Sequence, residues 1–358
     1  MGHVTEGHPE NVATADAVRT EGVVKTFGSG DDEVRALAGV DLRIDTGSVF
    51  GLLGANGSGK STLIRILTTL TRPTAGRAWV NGHDVATHPA EVRRSIGVTG
   101  QQVSLDDRLS GAENLRILGR LHGLGRAQSR RTADEILERY ALSRAADRPV
   151  RTYSGGMRRR LDIVVGLIRR PTLLFLDEPT TGLDPRSRAE IWETIRDLAK
   201  AGTSVFLTTQ YLDEADRLAD RIAVLARGQV IADGTPHGLK ARIGRHLSVT
   251  LANPRDRDRA CHALAALGVS GLNANDARRL GPPRSNATAA DGLDSFTAEY
   301  HALADATTIT GHIDAHIGPL PLPDLLGALT CAGIEVADIG MLEPTLDEVY
   351  LALTEEEK

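Results

Sequence analysis

The stretch Gly54-Ala-Asn-Gly-Ser-Gly-Lys60-Ser61-Thr62 sits between an apolar run, Val49 to Leu53, and an amphipathic stretch, Ser61 to Thr69. Its pattern, Gly-x4-Gly-Lys-Ser, predicts a strand that turns sharply through glycines and opens a helix. In such a turn the backbone N–H groups of Gly54, Asn56, Gly57, Ser58 and Gly59 converge as a nest, and the helix N-terminus adds partial positive charge. A triphosphate exploits both. Lys60 is expected to reach the β- and γ-phosphates, Ser61 to ligate Mg²⁺, and Thr62 to complete the loop. A nucleoside triphosphate with Mg²⁺ is therefore the expected ligand, and the chain is constrained to an α/β core.

Leu173-Leu-Phe-Leu-Asp177-Glu178 reads as a buried strand with two carboxylates at its C-terminal tip, where ligands of open α/β sheets bind. Neighbouring residues on a strand point in different directions, so the two acids are given different tasks. Asp177 suits the Mg²⁺ shell and Glu178 suits polarising a water against the γ-phosphate. Ser154-Gly155-Gly156 precedes another amphipathic stretch and offers a hydroxyl, two open N–H groups and a helix N-terminus. It lacks a lysine of its own, so it reads as half of a composite anion site.

Around these motifs, residues 19 to 244 alternate short β-branched runs with longer amphipathic segments, with Ser204 to Thr208 as a further buried strand. Residues 110 to 148 carry helical periodicity and almost no strand signal, which reads as a helical insertion. From residue 245 the texture changes to a smaller α+β domain, for which a β-α-β-β-α-β order is one reading. Residues 1 to 18 carry charge without an apolar core and read as a flexible tail. A net charge of -5 argues against a protein that coats nucleic acid. Arg158, Arg159 and Arg160 are read as a solvated helix face. Cys261 and Cys331 show no metal-ligand spacing. The longest apolar stretch, Ile163 to Leu176, is interrupted by Arg169, Arg170 and Pro171, so no membrane span is expected.

Taken together in this order, the motifs resemble the nucleotide-binding subunit of ATP-binding cassette (ABC) transporters, with Tyr153-Ser-Gly-Gly-Met157 matching that family's signature. The resemblance implies a P-loop NTPase fold: a RecA-like α/β core over about residues 19–244, with an antiparallel β subdomain and a helical subdomain at about 103–150. It also implies a homodimer that sandwiches two ATP molecules, each between one copy's Gly54–Thr62 loop and the other's Ser154–Gly156. Phe27 falls where the family stacks an aromatic on adenine. Gln101 falls at the glutamine that links γ-phosphate and Mg²⁺ to the helical subdomain, with Gln102 beside it. Asp184 lies in the loop that crosses to the partner subunit. One position departs from the pattern: Gln210 follows Thr208-Thr209 where the family has histidine. An amide can donate a hydrogen bond to phosphate but cannot carry a proton as imidazole can.

The Ser154–Asp162 continuation, Thr208 to Leu225 and the C-terminal Ala337–Gly340 and Pro344–Val349 segments make the chain similar to the daunorubicin-resistance type of drug-export ATPase. That likeness implies a Mg-dependent ATPase on the cytoplasmic face of the membrane. It would work with a separate polytopic permease that exports a drug, antibiotic or lipid-like molecule the ATPase never touches. The rival reading is a soluble cassette ATPase that remodels a protein or nucleic-acid assembly.

Overall fold

The computed structural model describes residues 16–100, 105–273, 308–315 and 320–355. The expected tail up to residue 15, Gln101 and Gln102 lie outside these residues. The described chain begins directly in strand β1 (Asp16–Phe27), so residues 16–18 belong to a sheet and not to a tail, with Ala17 and Val18 fully buried.

The contacts divide the chain between Pro236 and His237 into two compact units. In the first, β1 pairs antiparallel with β2 (Val34–Asp45), and β3 (Val49–Leu53) then runs into helix α1 (Lys60–Leu67). Strands β4 (Ala75–Val80) and β5 (His83–Asp84) return to β1, which completes a four-stranded antiparallel sheet in the order β2-β1-β4-β5. Helix α2 (Pro89–Ser95) leads to β6 (Ile96–Thr99). The helical segment follows as α3 (Gly111–Leu121) and α4 (Arg126–Arg139), then α5 (Gly155–Val165). Next come β7 (Leu173–Asp177), α6 (Pro185–Lys200), β8 (Ser204–Thr209), α7 (Leu212–Leu218), and the hairpin β9 (Arg221–Ala226) and β10 (Gln229–Gly234).

The second sheet has the order β10-β9-β3-β8-β7-β6, parallel except for the β9–β10 edge hairpin. That hairpin turns on Arg227 and Gly228, both at positive φ, the requirement of the two-residue turn that matches strand twist. The sheet is covered on both faces, so its central strands read as continuous apolar runs. Alternation sorts them. Phe50, Leu173, Phe175 and Phe206 join the core shared with α1 and the antiparallel sheet, whereas Val49, Leu174, Leu176, Val205 and Leu207 join the core under α3 to α6. Phe206 lies between Phe50 and Phe175, with ring centroids 5.4 and 5.3 Å away.

The 110–148 insertion is helical as its periodicity predicts. Ser110 and Glu113 form a reciprocal capping box at the start of α3, and that geometry holds the Glu113 carboxyl below the usual range. At the other end of this layer, a Cβ on Gly97 of β6 would collide with the carbonyl oxygen of Gly166, at the C-terminus of α5, so strand and helix meet backbone to backbone.

The division falls after the first residue of α8 (Pro236–Ala241), whose remainder opens the second unit. This unit continues as β11 (Arg245–Leu251), α9 (Arg257–Ala266), β12 (Val269–Asn273), β13 (Thr308–Ile313), α10 (Leu322–Cys331), β14 (Val336–Leu342) and α11 (Leu346–Glu355). The sheet is antiparallel in the order β12-β13-β11-β14, and among the described residues β11 to β14 follow the β-α-β-β-α-β order. Leu247, Val249, Leu251, Ile309 and Ile313 pack one face against Ala260 and Leu264 of α9 and Leu325 and Leu329 of α10. Among the described residues, no helix is long and apolar enough to cross a membrane.

Candidate functional site

The glycine loop lies between β3 and α1, as its sequence requires. Gly57 and Gly59 take positive φ, and a Cβ at Gly59 would lie 2.6 Å from the Ala36 carbonyl, so both freedom and space select glycine there. Within the loop, Ser58 Oγ is buried and finds no hydrogen-bond partner among the described residues. A buried hydroxyl left open in an anion cradle is what a phosphate oxygen would satisfy. The Lys60 ammonium curls over the loop and donates to the carbonyls of Gly54 at 2.8 Å and Ala55 at 3.1 Å.

The sheet brings the second motif to this loop. Asp177 shares its strand face with Leu173 and Phe175, the face that looks toward α1, and Ser61 Oγ donates to Asp177 Oδ1 at 3.3 Å. A hydroxyl and a carboxylate converging beside a phosphate loop are the hard oxygen donors that Mg²⁺ prefers. The neighbouring Glu178 points elsewhere, and its Oε1 stands 3.6 Å from Lys60 Nζ. Thus Lys60, Ser61, Asp177 and Glu178 form one constellation, with Lys60 and Asp177 buried and Ser61 and Glu178 half-buried. Glu178 itself sits at φ 47°, a left-handed conformation that costs a non-glycine residue about 1–2 kcal/mol.

Thr208 completes the constellation and was not singled out by its sequence. Its hydroxyl donates to Asp177 Oδ1 at 2.5 Å, while the Glu178 amide donates to its carbonyl and hydroxyl oxygens, each at 3.1 Å. The parallel register that sets Asp177 against Thr208 is a tertiary property. Gln210 follows directly at the end of β8, half-buried, and the Gly54 amide donates to the preceding Thr209 carbonyl, which keeps this strand end beside the loop.

Ser154 and Gly155 are exposed at the N-terminus of α5, where Ser154 Oγ accepts from the Met157 amide. Gly156 is buried because the helix packs closely on α6; a Cβ there would lie 2.7 Å from Ser187 Oγ. Asp184 caps α6 and accepts from the amide and hydroxyl of Ser187 at 2.9 and 2.6 Å, which holds its carboxyl below the usual range. Phe27 ends β1 with its ring 43% exposed and Lys25 Nζ 4.9 Å from the ring centre. The structure therefore joins the loop, Asp177, Glu178 and the Gln210 strand, and leaves Ser154, Gly155 and Asp184 on the surface of the same unit.

The arginine run is not the solvated face its sequence suggests. Arg158 pairs with Asp107 and Arg160 with Glu190, but Arg159 is buried. Its guanidinium donates to the carbonyls of Gly100, Asp177, Glu178 and Pro179 and to the Asp162 carboxylate. Burial pulls its pKa down, while Asp162, Asp177 and Glu214 oppose that pull. Glu214 of α7, fully buried, accepts from Thr180 Oγ1 at 2.9 Å and Trp192 Nε1 at 3.1 Å. Burial pushes its carboxyl above the ordinary value, against the pull of Thr209, Thr180 and Trp192. Sequence reasoning missed both groups, because what marks them is burial and not spacing.

Comparison with known proteins agrees with this geometry. Residues 37–181 match the family model described as ABC transporter. The daunorubicin resistance ATP-binding protein DrrA3 of Streptomyces coeruleorubidus is 44% identical over 343 residues, covering 96% of this chain and 97% of that protein. The doxorubicin resistance ATP-binding protein DrrA of Mycobacterium tuberculosis is 45% identical over 341 residues, covering 94% and 93%. Among solved structures, a dimeric ATP-binding cassette in a post-hydrolysis state with ADP and Pi matches at TM-score 0.55 and 28% identity, covering 61% of this chain and 98% of that one. Part of a Clostridium perfringens ABC transporter complex, cbiO1, matches at TM-score 0.59 and 27% identity, covering 63% and 91%. The phosphate loop, its paired carboxylates and a likeness that runs nearly end to end place the chain in the ABC transporter family, among the ATP-binding proteins of the daunorubicin-resistance type.

Proposed function

We propose that the chain is a Mg²⁺-dependent ATPase subunit that dimerises around two ATP molecules and powers export through a separate membrane permease. The observation that carries the reading is the meeting of Lys60, Ser61, Asp177 and Glu178 at the glycine loop. With ATP bound, Lys60 would exchange its loop carbonyls for β- and γ-phosphate oxygens. Ser61 and Asp177 would hold Mg²⁺, whose charge offsets that of the phosphates. Glu178 would then accept a proton from the attacking water, and Gln210 would donate a hydrogen bond to the γ-phosphate. Gln101 is assigned with them as the link from γ-phosphate and Mg²⁺ to the helical segment. Phe27 is assigned to the adenine, which would stack on the ring face that Lys25 does not cover.

The surface placement of Ser154 and Gly155 supports a composite site, since an anion-binding helix N-terminus that faces outward can serve a nucleotide held by a second copy. Asp184, likewise exposed, is placed at that junction. No helix among the described residues is long and apolar enough to cross a membrane, which supports a separate polypeptide as the solute's path; the ATPase is assigned to the cytoplasmic face, where ATP is available. The relatives named for daunorubicin and doxorubicin resistance favour an exported drug or lipid-like molecule that the ATPase does not contact.

The test is co-purification from solubilised membranes of the source cell, with Glu178→Gln and Mg-ATP to hold the dimer closed and Lys60→Ala as control. A stoichiometric polytopic protein enriched over the control supports the transporter. Enrichment of soluble assemblies alone would make the chain a remodelling ATPase instead.

A further inference from the structure

Glu178 is strained, and a strained residue persists only where its surroundings over-determine it. Thr208 holds its amide from one side, and on the carbonyl side one guanidinium gathers the turn. Arg159 Nη2 donates to the carbonyls of Asp177 at 3.1 Å and Glu178 at 3.3 Å, and Nε donates to that of Pro179 at 2.8 Å. Three successive carbonyls around the left-handed residue thus converge on one guanidinium. Its Nη1 reaches the Gly100 carbonyl at 2.9 Å, at the end of β6, and is held from behind by Asp162 at 3.0 Å. A planar fork of five donors meets this demand; an ammonium on a flexible stem does not.

Arg159 lies on α5, the helix whose first turn is Gly155-Gly156-Met157 and whose cap is Ser154. At 1.5 Å per residue, the cap and Arg159 are about 7.5 Å apart along a rigid rod. In the dimer proposed above, on which this inference rests, the two ends serve different ATP molecules. Ser154 faces the nucleotide held by the partner, while Arg159 holds the Glu178 that acts on the nucleotide of its own subunit.

We propose that Arg159 is a positioning residue that couples the two sites: a shift of α5 when Ser154 engages the partner's ATP is delivered through its guanidinium to the backbone of the catalytic turn. Each Glu178 then becomes competent only when the opposite site is filled. A buried arginine that only filled space would have no need to address the Asp177, Glu178 and Pro179 carbonyls together.

The test measures ATP hydrolysis against ATP concentration in Mg²⁺ for the full chain and for Arg159→Lys, Arg159→Gln and the milder Asp162→Asn. A fluorescent ATP analogue reports nucleotide affinity and folding. Coupling predicts a wild-type Hill coefficient approaching about 2, the number of sites. It predicts a coefficient near about 1 in both Arg159 variants and an intermediate one in Asp162→Asn. Both Arg159 variants should lose about tenfold to a hundredfold in kcat, with affinity for the analogue unchanged. Loss of kcat with the wild-type Hill coefficient retained would overturn the coupling, and so would a wild-type coefficient near about 1. If the Arg159 variants do not bind the analogue, Asp162→Asn decides, and a wild-type curve for it overturns the proposal. Wild type no faster than Glu178→Gln would remove the ATPase reading itself, whereas an active wild type matched by its Arg159 variants would remove this inference alone.

Discussion

Glu178 shows how little of a catalytic residue's setting its own identity reveals. Its placement after an apolar strand is plain in the sequence, yet its left-handed backbone, its 3.6 Å approach to Lys60 and the bonds of its amide to Thr208 depend on strands distant in the chain. If it is the general base, Glu178→Gln should lower kcat by about a hundredfold or more, with ATP affinity retained in a binding titration. Lys60→Ala should lose nucleotide binding itself. Gln210 is the residue where sequence reasoning meets a departure. A phosphate hydrogen-bond donor predicts that Gln210→Ala slows turnover measurably, and equal rates for the two proteins would strip Gln210 of its role. Glycine pattern and strand-end acids were legible because their chemistry is local. Arg159 and Glu214 were not, because charge runs and a lone acid in an amphipathic helix look solvated until the partners that bury them are known.

At the scale of elements, α7 and the turn after β7 are joined by a carboxylate that burial drives toward its neutral form. The folded-state pKa of Glu214 lies above its ordinary value of 4.5. Above that value the unfolded chain has shed a proton that the native state still holds, so this group's contribution is complete below about pH 4.5. It is lost as pH rises through the folded pKa. Asp213 next to it pushes in the same direction, and Arg159 is the nearby cation that offsets it. Denaturant titrations from pH 5 to 9 should therefore show wild type losing stability with rising pH relative to Glu214→Gln; parallel curves would contradict this assignment. At the start of α3, Ser110→Ala breaks the capping box and should cost about 1 kcal/mol in the same assay. Strands β3, β7 and β8 and helices α3 to α5 were foreseen from periodicity, since period 3.6 and fully apolar runs survive any tertiary context. The strand order was not, because parallel pairing joins segments whose sequences say nothing of one another.

For the whole molecule, the cores were legible as composition and the layers were not. Alternation along β7 and β8 divides their side chains between two separate cores, and Phe206 links Phe50 and Phe175 on the side toward the phosphate loop. Truncating Phe206 to alanine should destabilise the first unit by about 3–5 kcal/mol, measured by denaturant unfolding. Mg-ATP at about a hundredfold over Kd should return about 2.7 kcal/mol to a folded variant, and none where Lys60 is also replaced. The second unit builds its own apolar face from β11, β13, α9 and α10.

The backbone contact between Gly97 and Gly166 has an implication for how variation in relatives is interpreted. Neither glycine takes a positive φ, so each could be alanine as far as its own backbone is concerned; at Gly97 the obstacle is the Gly166 carbonyl oxygen, with which a Cβ would collide, and at Gly166 it is Leu174 Cδ1, 2.8 Å from where a Cβ would lie. Gly97, which faces a backbone oxygen, is expected to vary least among relatives, and Gly166, which faces the end of a leucine side chain, somewhat more. A ranking of positions by invariance would score Gly97 as catalytic. Its immobility is that of two surfaces too close to admit a methyl group.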